Sequence, residues 1–184
     1  QNPNVYGQSK KQAEEYLATK SFIKIIVRPA LIYGKGGLGF GKMIELTSML
    51  PFIVPMIGSG EAKKQPIYVE DAAEIIVRAA TRIDAENKSY MLGGPETASL
   101  KELLKMIMKV KNQKKMFVHA PVWFVTPILA VAELITKKLP ITREAIKEME
   151  SSYEFDYTIL EKEFEVELTR LEKGIQMSLT DARK

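Results

Sequence analysis

The feature that most constrains the fold is a helical pattern followed directly by an apolar, β-branched run. Apolar and polar residues recur at helical spacing from Tyr6 to Leu17. The next segment, residues 22–27, reads FIKIIV and is stopped by Pro29, which is typical of a buried strand. A helix that leads into a buried strand is a building unit of α/β domains. The sequence therefore predicts an α/β fold from its first residues onward.

Three capping signals predict helices further along the chain. Asp71, Ser99 and Thr169 are each followed three residues later by Glu, the spacing at which two side chains satisfy the free backbone amides of a helix start. The residues after Ser99 also form an amphipathic stripe. We predict helices over residues 42–50, 71–82, 100–110, 122–138, 142–150, 157–164 and 169–179. Strands are predicted over residues 90–92 and 116–118, and a loop is predicted around Pro55, Gly58 and Gly60.

The balance of helices and strands indicates which part of an α/β domain is present. Helices outnumber strands, whereas a complete doubly wound domain alternates the two throughout. The pattern therefore favours the carboxyl-terminal part of a doubly wound parallel sheet joined to a mostly helical lobe. Because the chain opens on Gln-Asn-Pro without Met, we expect further residues to precede it.

Composition argues against several classes of function. The 27 basic and 23 acidic residues give a net charge of +4 and form no long basic run, so nucleic acid is not expected as a partner. The absence of cysteine excludes disulfides and thiolate catalysis, and one histidine, His119, leaves no histidine cluster. We therefore expect no metal site.

The most apolar segment runs from Val122 to Ile135 and contains Pro127 and Glu133. It is shorter than the roughly 20 residues that a membrane-spanning helix needs. We predict a buried or interfacial helix there, and core packing is favoured over contact with a membrane or a lipid-like substrate. No secretory signal opens the chain, and we expect a cytoplasmic protein.

Tyr6 and Lys10 are spaced so that a lysine can activate a tyrosine. Residues four apart on a helix share one face, with about 5–6 Å between their Cβ atoms. A tyrosine pKa near 10 must fall by about three units to exchange protons near neutrality, which costs roughly 4 kcal/mol. An ammonium at about 4 Å, at an effective dielectric of about 20, supplies on the order of 4 kcal/mol. The pair is therefore a candidate general acid/base.

A second pair with the same spacing shows that spacing alone is weak evidence. Tyr16 and Lys20 also stand four residues apart, and a helix with an exposed lysine and a half-buried tyrosine explains either pair without chemistry. The surroundings in the sequence separate the two pairs and favour Tyr6.

The segment around Tyr6 resembles the catalytic helix and following strand of the extended short-chain dehydrogenase/reductases, with the NAD-dependent epimerase/dehydratase group as the best match. The resemblance rests on NPNVYGQSKKQAE over residues 2–14 and IIVRPALIYG over residues 25–34. It continues in family order through residues 58–60 (GSG), 67–73 (IYVEDAA), 90–96 (YMLGGPE), 155–156 (FD) and 171–175 (LEKGI). Ordered agreement of several weak motifs is a stronger signal than any one of them.

The resemblance implies a Rossmann-like fold, NAD or NADP as cofactor, and a nucleotide-sugar or other small-molecule substrate. In that family the matching tyrosine gives or takes the substrate proton, and the matching lysine lowers the tyrosine pKa and binds the nicotinamide ribose. These roles are implied here for Tyr6 and Lys10. The implied cofactor-binding residues are Lys10, Pro29, Ala30 and Leu31, and the implied substrate-binding residues are Arg28, Tyr33 and Lys42.

Arg28 is as readily explained by a structural role. The pair Glu70-Asp71 resembles an acidic pair that opens a helix in this family, and helix capping explains it at least as readily as a substrate contact. The resemblance also divides the chain. Residues 1–35 are then expected to end the nucleotide-binding domain. Residues 36–184 form mainly the substrate lobe, with residues 61–95 returning to the sheet.

The glycine-rich phosphate turn of the family is expected upstream of this chain. Family members place that turn, and a Ser or Thr catalytic partner, well ahead of the tyrosine, and only five residues precede Tyr6. We therefore expect residues 1–184 alone to bind no NAD and to be inactive. Residues 34–39 (GKGGLG) do match Gly-x-Gly-x-x-Gly, but Pro29 and Pro51 interrupt the flanking elements. A loop near the substrate is the preferred interpretation.

Three functions follow from these patterns. In the first, the protein is an NAD(P)-dependent epimerase, dehydratase or reductase in which Tyr6 removes a hydroxyl proton while a hydride moves to the nicotinamide. The alternative is a non-catalytic nucleotide-binding accessory subunit on the same fold, similar to one in respiratory complex I. A plain helical interaction module is the third, and a homodimer is compatible with all of them.

Overall fold

The helix and strand predicted at the start of the chain are both present. A computed structural model describes residues 5–81, 87–121, 152 and 154–180. Helix α1 spans Val5–Ala18, and strand β1 spans Ile25–Pro29. Parallel strand pairs packed against helices confirm the α/β class.

The other elements follow in mixed order. They are β2 (Leu31–Tyr33), α2 (Leu38–Ser48), β3 (Ile53–Ile57), β4 (Lys63–Lys64), β5 (Pro66–Tyr68), α3 (Val69–Thr81), β6 (Lys88–Leu92), β7 (Ala98–Ser99), α4 (Leu100–Val110), β8 (Met116–Ala120), α5 (Thr158–Phe164) and α6 (Leu171–Thr180). The helices predicted over residues 122–138 and 142–150 lie outside the described residues. Within the described part of the chain, no helix combines the length and apolar character needed to cross a bilayer.

One extended segment changes its strand partner at Ala30. Before this residue, β1 pairs in parallel with β6, and after it, β2 pairs in parallel with β5. The Ala30 amide donates to the Leu92 carbonyl at 3.0 Å, so the carboxyl ends of β1 and β6 meet where β2 begins. We call this junction, formed by residues 29–31 and Leu92, the sheet fork.

Strand β3 corrects the prediction of a loop around Pro55. Residues 53–57 pair in parallel with β8, with Pro55 opposite Val118. A proline lacks the amide donor, and strands tolerate it where one side of the strand is unpaired. The described residues place only β8 beside β3, so the strand accommodates Pro55. We call the β3–β8 pair the ribbon.

Helix α2 begins at Leu38, four residues before the predicted start at Lys42. Positive φ angles of 139° at Gly34 and 79° at Gly36 turn the chain after β2. A Cβ on Gly34 would lie 2.4 Å from a methyl group of Val69, so this turn requires glycine. Phe40 is buried in the first turn of α2, and this packing extends the helix over glycines that local propensity disfavours.

The three predicted capping boxes had different outcomes. At α4 the box is confirmed, because the Ser99 hydroxyl accepts from the Glu102 amide and the Glu102 carboxylate accepts from the Ser99 amide. The box at Asp71 is wrong, since α3 already begins at Val69. The box at Thr169 is also wrong, since α6 begins two residues later at Leu171 and the Thr169 hydroxyl donates to Asp71 at 2.9 Å. In both cases a partner distant in sequence replaces the local cap.

The buried apolar residues fall into three clusters on either side of the strands. The first cluster joins α3, β6 and α5 around Ile75 and Leu160. The second joins β2, α2, α4 and α6 around Tyr33 and Ile107. The third lies between α4 and the inner face of the ribbon, around Val54. Helices thus cover both sides of the sheet fork, while within residues 5–81, 87–121 and 154–180 the ribbon is covered on one face.

Candidate active site

Tyr6 and Lys10 lie one turn apart in α1. The helix confirms the geometry that the Tyr-x-x-x-Lys spacing requires, because residues at i and i+4 share a face. The Lys10 side chain is exposed. Lys10 therefore lies on the surface of α1, one turn after Tyr6, and the catalytic role of the pair stays a prediction.

A bidentate ion pair fixes α1 against β1. The Arg28 Nε donates to the Glu14 Oε1 at 2.7 Å, and its Nη2 donates to Oε2 at 2.6 Å. The fork geometry of a guanidinium matches a carboxylate in this way. The hydrogen bonds from Arg28 hold the pKa of Glu14 below its usual range, and those to Glu14 raise the pKa of Arg28.

This ion pair orients the candidate catalytic residues. Lys10 and Glu14 are four residues apart, so they lie on the same side of α1. Tyr6 stands one further turn toward the start of the helix. Fixing Glu14 on Arg28 therefore limits rotation of α1 about its axis. Arg28 was expected either to bind substrate or to have a structural role. Its guanidinium forms two hydrogen bonds with the Glu14 carboxylate.

The implied cofactor-binding residues 29–31 form the sheet fork. Pro29 is exposed, whereas Ala30 and Leu31 are partly buried. Open α/β sheets bind ligands beyond the carboxyl ends of their strands, where neighbouring connections diverge. The fork is such a place, since β1 and β6 end there and β2 departs to pair with β5. Their role in cofactor binding stays a prediction.

The structure places Tyr33 in the core. Its side chain is 2% exposed and packs against Phe40 and Tyr68, with ring centroids 5.7 and 5.6 Å away. A Cβ on Gly174 would lie 2.2 Å from the Tyr33 hydroxyl. Burial raises the pKa of Tyr33 well above its usual range, and the nearby Asp71 adds to this effect. Such surroundings disfavour a phenolate and do not favour the predicted substrate contact.

Lys42 has an exposed side chain on α2, the helix that packs against β2. It therefore lies on the element that follows the sheet fork in the chain. Its predicted contact with substrate stays a prediction.

The second Tyr-x-x-x-Lys pair has a different geometry from the one that acid–base chemistry needs. The Lys20 ammonium lies over the Tyr16 ring, 4.0 Å from its centroid, and the Tyr16 side chain is 64% exposed. This is a surface cation–π contact. An ammonium on the ring face is not placed to bond the phenol oxygen, so Tyr16 serves as an internal comparison for Tyr6.

Sequence reasoning missed the long-range hydrogen bonds that two buried side chains, Gln65 and Asp71, and the partly buried Glu96 make beside the sheet fork. The Gln65 Nε2 donates to the carbonyls of Gly94 and Phe155 at 2.8 and 2.9 Å. The Asp71 carboxylate accepts from the backbone amide of Thr169 at 2.7 Å, and the Glu96 carboxylate accepts from that of Leu171 at 2.7 Å. These bonds hold the carboxyl-terminal segment against β5 and the loop after β6. The motifs IYVEDAA and GGPE marked Asp71 and Glu96, but Gln65 had no local signal.

The described residues contain no group of three or more His, Asp or Glu side chains arranged to hold a metal ion. The described residues on α1 and at the sheet fork include a phenol, an ammonium and a guanidinium–carboxylate pair.

Comparison with known proteins agrees with this architecture. A family model described as 3-beta hydroxysteroid dehydrogenase/isomerase matches residues 1–97. The chain is 28% identical over 141 residues to subunit 9 of the NADH dehydrogenase (ubiquinone) 1 alpha subcomplex, mitochondrial, of Arabidopsis thaliana. That match covers 76% of this chain and 35% of the relative.

Two solved structures share the fold at low sequence identity. A dTDP-glucose 4,6-dehydratase from Bacillus anthracis, in complex with NAD, superposes with a TM-score of 0.70 and 17% identity, covering 98% of this chain and 52% of that one. A UDP-glucose 4-epimerase from Thermus thermophilus, also in complex with NAD, gives a TM-score of 0.68 and 17% identity, covering 97% and 53%. The chain thus spans about half the length of these structures. With the family model matching more than half of its residues, the chain belongs to the 3-beta hydroxysteroid dehydrogenase/isomerase family of extended short-chain dehydrogenase/reductases.

Proposed function

We propose that this chain carries the acid–base residues of an NAD(P)-dependent epimerase, dehydratase or reductase. The observation that carries the proposal is the position of Tyr6 and Lys10 one turn apart on a helix that Glu14 and Arg28 fix to β1. Two parts of the molecule support it, namely this helix and the sheet fork.

The sheet fork fits the nicotinamide end of a dinucleotide. Pro29 is exposed where β1 ends, beside a strand junction of the kind that binds nucleotides in open sheets. The glycines of residues 34–39 do not fit the pyrophosphate, because the strands on either side of them, β2 and β3, pair with different partners. We assign nicotinamide contacts to residues 29–31 and Lys10. The phosphate-binding turn is assigned to residues beyond the described part of the chain.

The proposed chemistry divides a proton and a hydride between two groups. A nicotinamide bound at residues 29–31 and Lys10 would supply the acceptor, and in the reverse direction the donor, of a hydride at a carbinol carbon of the substrate. The Tyr6 phenolate takes the hydroxyl proton of the same carbinol, which leaves a carbonyl. The Lys10 ammonium stabilises the phenolate electrostatically. In the reverse direction Tyr6 returns the proton to the carbonyl oxygen.

We also propose the division of the chain that the family resemblance implies. Residues 1–35 contribute α1 and β1 to the nucleotide-binding domain, and residues 36–184 form mainly the substrate lobe. Residues 61–95 return to the sheet, which is supported by the pairing of β5 with β2 and of β6 with β1. Nucleotide sugars and other small alcohols, hydroxysteroids among them, are the proposed substrates.

One observation favours a second function. The curated relative from Arabidopsis thaliana is named as a subunit of mitochondrial NADH dehydrogenase. On this alternative the protein is an accessory subunit in which a bound nucleotide stabilises structure and Tyr6 takes no part in chemistry.

The two functions are separated by two matched tyrosine variants of the full-length protein. Turnover is followed at the nicotinamide absorbance with a panel of UDP-sugars, dTDP-sugars and hydroxysteroids, and NAD binding is measured by calorimetry. For an enzyme, Tyr6→Phe lowers kcat by about 100-fold or more while NAD binding persists. Tyr16→Phe, which has the same spacing to a lysine, leaves kcat unchanged.

The opposite results would reject the enzymatic proposal. A full-length protein that binds NAD, turns over none of the panel, and is unaffected by Tyr6→Phe would be an accessory subunit. Equal losses for Tyr6→Phe and Tyr16→Phe would show that neither pair has a specific role.

A further inference from the structure

We propose that the outer face of the ribbon, together with the lysines beside it, docks on the surface of an anionic lipid bilayer. This surface lies apart from α1 and the sheet fork and does not depend on the proposed catalytic function. Exposed apolar side chains and a concentration of positive charge lie next to each other on this surface.

The ribbon is apolar on both faces, and among the described residues α4 covers one of them. Val54, Met56 and Phe117 pack against α4 in the core. Because side chains alternate along a strand, the residues between them face the other way, and Ile53 pairs there with Met116. The Met116 side chain is 75% exposed.

The loop that enters the ribbon enlarges this apolar surface. Phe52 and Met49, between α2 and β3, are 78% and 69% exposed. The Met116 amide donates to the Phe52 carbonyl at 3.0 Å, so the loop and the outer face of β8 adjoin. Contiguous exposed apolar residues on this scale mark interaction sites. The exposed apolar members of what we call the ribbon patch are Met49, Leu50, Phe52, Met116 and Val118.

Positive charge is concentrated beside the same surface. Five lysines and no acidic residue occur between residues 105 and 119. Four of them line an open groove of about 460 Å³ that Met116 also lines. The basic members of the ribbon patch are Lys105, Lys109, Lys111, Lys114 and Lys115.

Direct contacts tie the lysines to the apolar loop. The Lys115 ammonium donates to the carbonyls of Thr47 and Leu50, and the Lys111 ammonium donates to the Ser48 hydroxyl. Repulsion from Lys115 adds to burial in lowering the pKa of Lys111. Like charges are thus held close together, and an anionic surface relieves the repulsion between them. Among the described interactions, two carboxylates reach this set, because Glu172 pairs with Lys109 at 2.6 Å and Glu102 attracts Lys105.

An apolar centre beside ammonium groups matches the physical chemistry of a bilayer surface. Phe and Met side chains enter the boundary between headgroups and acyl chains, and lysines attract anionic headgroups. A polynucleotide would need aromatic residues interleaved with the cations for stacking, whereas Phe52 stands beside aliphatic and thioether side chains. Charge and apolarity together therefore favour lipid over nucleic acid.

The test is flotation of the full-length protein with vesicles of phosphatidylcholine alone and of phosphatidylcholine mixed with phosphatidylserine. We expect binding to the anionic vesicles only, weakened by added salt. Lys105→Gln with Lys114→Gln should lower the partition coefficient about thirty-fold, since each lysine near an anionic surface is worth about 1 kcal/mol. Phe52→Ser with Met116→Ser should lower it about ten-fold or more.

Matched controls lie elsewhere on the surface. Val77→Ser removes an exposed apolar side chain from α3, and Lys11→Gln with Lys162→Gln removes two exposed charges. Both should leave the partition coefficient unchanged. Equal losses for the control and patch variants, absence of binding, or equal binding to neutral vesicles would each overturn the proposal.

Three further measurements test other occupants of the patch. A wild-type dimer in analytical ultracentrifugation that Phe52→Ser dissociates would assign the patch to a second copy of the chain. A fall of several degrees in Tm for Phe52→Ser with Met116→Ser would show that the protein itself covers the patch. Tighter binding of a single-stranded oligonucleotide than of anionic vesicles would assign it to nucleic acid. Each of these results overturns the lipid proposal.

Discussion

The sheet fork and the ribbon are both built from parallel strand pairs, yet they differ in how their surroundings are completed. Around the fork, helices and buried polar bonds close the structure from within, with Gln65 and Asp71 reaching residues 90 and 98 positions away. At the ribbon, one face packs on α4, and the other exposes Met116 and Val118. At the fork, the polar side chains bond other parts of the same chain and therefore stabilise the fold. At the ribbon, the described residues leave an apolar face exposed, which fits contact with an external partner.

The largest effect should follow from adding a methyl group near the fork. A Cβ on Gly94 would lie 2.1 Å from the carbonyl oxygen of Pro66, which backbone in a strand cannot relieve by a side-chain movement. Gly94→Ala should therefore lower the free energy of unfolding by about 3 kcal/mol or more. Urea denaturation of the full-length protein measures this change.

A second glycine is the matched control for that variant. Nothing lies within 4 Å of a Cβ built on Gly39 in α2, so Gly39→Ala should stabilise by about 0.5–1 kcal/mol. Equal changes in the free energy of unfolding for Gly94→Ala and Gly39→Ala would show that the fork is no more tightly packed than the surface of α2.

A smaller effect, of opposite sign, should follow from removing a buried hydroxyl. Among the described residues the Tyr33 hydroxyl has no hydrogen-bond partner and is buried, and such a group costs about 1–3 kcal/mol. Tyr33→Phe should therefore raise the free energy of unfolding by about 1 kcal/mol and leave KM unchanged. A raised KM with unaltered stability would instead support the substrate contact that the family resemblance implies.

The smallest effect concerns the pH dependence of stability. Burial raises the pKa of Asp71 above its ordinary value of 3.8, although the bonds from Thr169 oppose the shift. Between these two pKa values the folded state binds more protons than the unfolded state, so stability should fall as pH rises through this window. The difference between wild type and Asp71→Asn, measured by urea denaturation at several pH values, should show this slope. A difference that rises with pH would contradict it.

Local signals predicted local structure well. The helical spacing around Lys10 and the capping box of Ser99 and Glu102 each specify an element within a few residues, and both elements are present. Predictions from the sequence were wrong where contacts between residues distant in sequence determine the local structure. Pro55 lies in a strand because β8 pairs with it, and Thr169 bonds Asp71 instead of capping its own helix.

At the candidate site, too, the sequence predicted local structure but not contacts between elements. The family motifs and the spacing of four residues correctly predicted that Tyr6 and Lys10 lie one turn apart on a helix. They did not indicate that Glu14 holds the Arg28 guanidinium, or that Tyr33 lies in the core. Both are properties of packing between elements, so no pattern within a single segment reports them.

The long-range bonds of Gln65 and Asp71 have a consequence for biosynthesis. Their partners, Phe155 and Thr169, leave the ribosome 90 and 98 residues later, which at about 5–20 residues per second takes on the order of 5–20 s. During that interval β5 and α3 are made but their polar groups remain hydrated. The half of the chain that carries β1, β2 and β5 therefore completes its interior only after translation of the carboxyl-terminal segment, and nascent-chain proteolysis should find it cleavable until then.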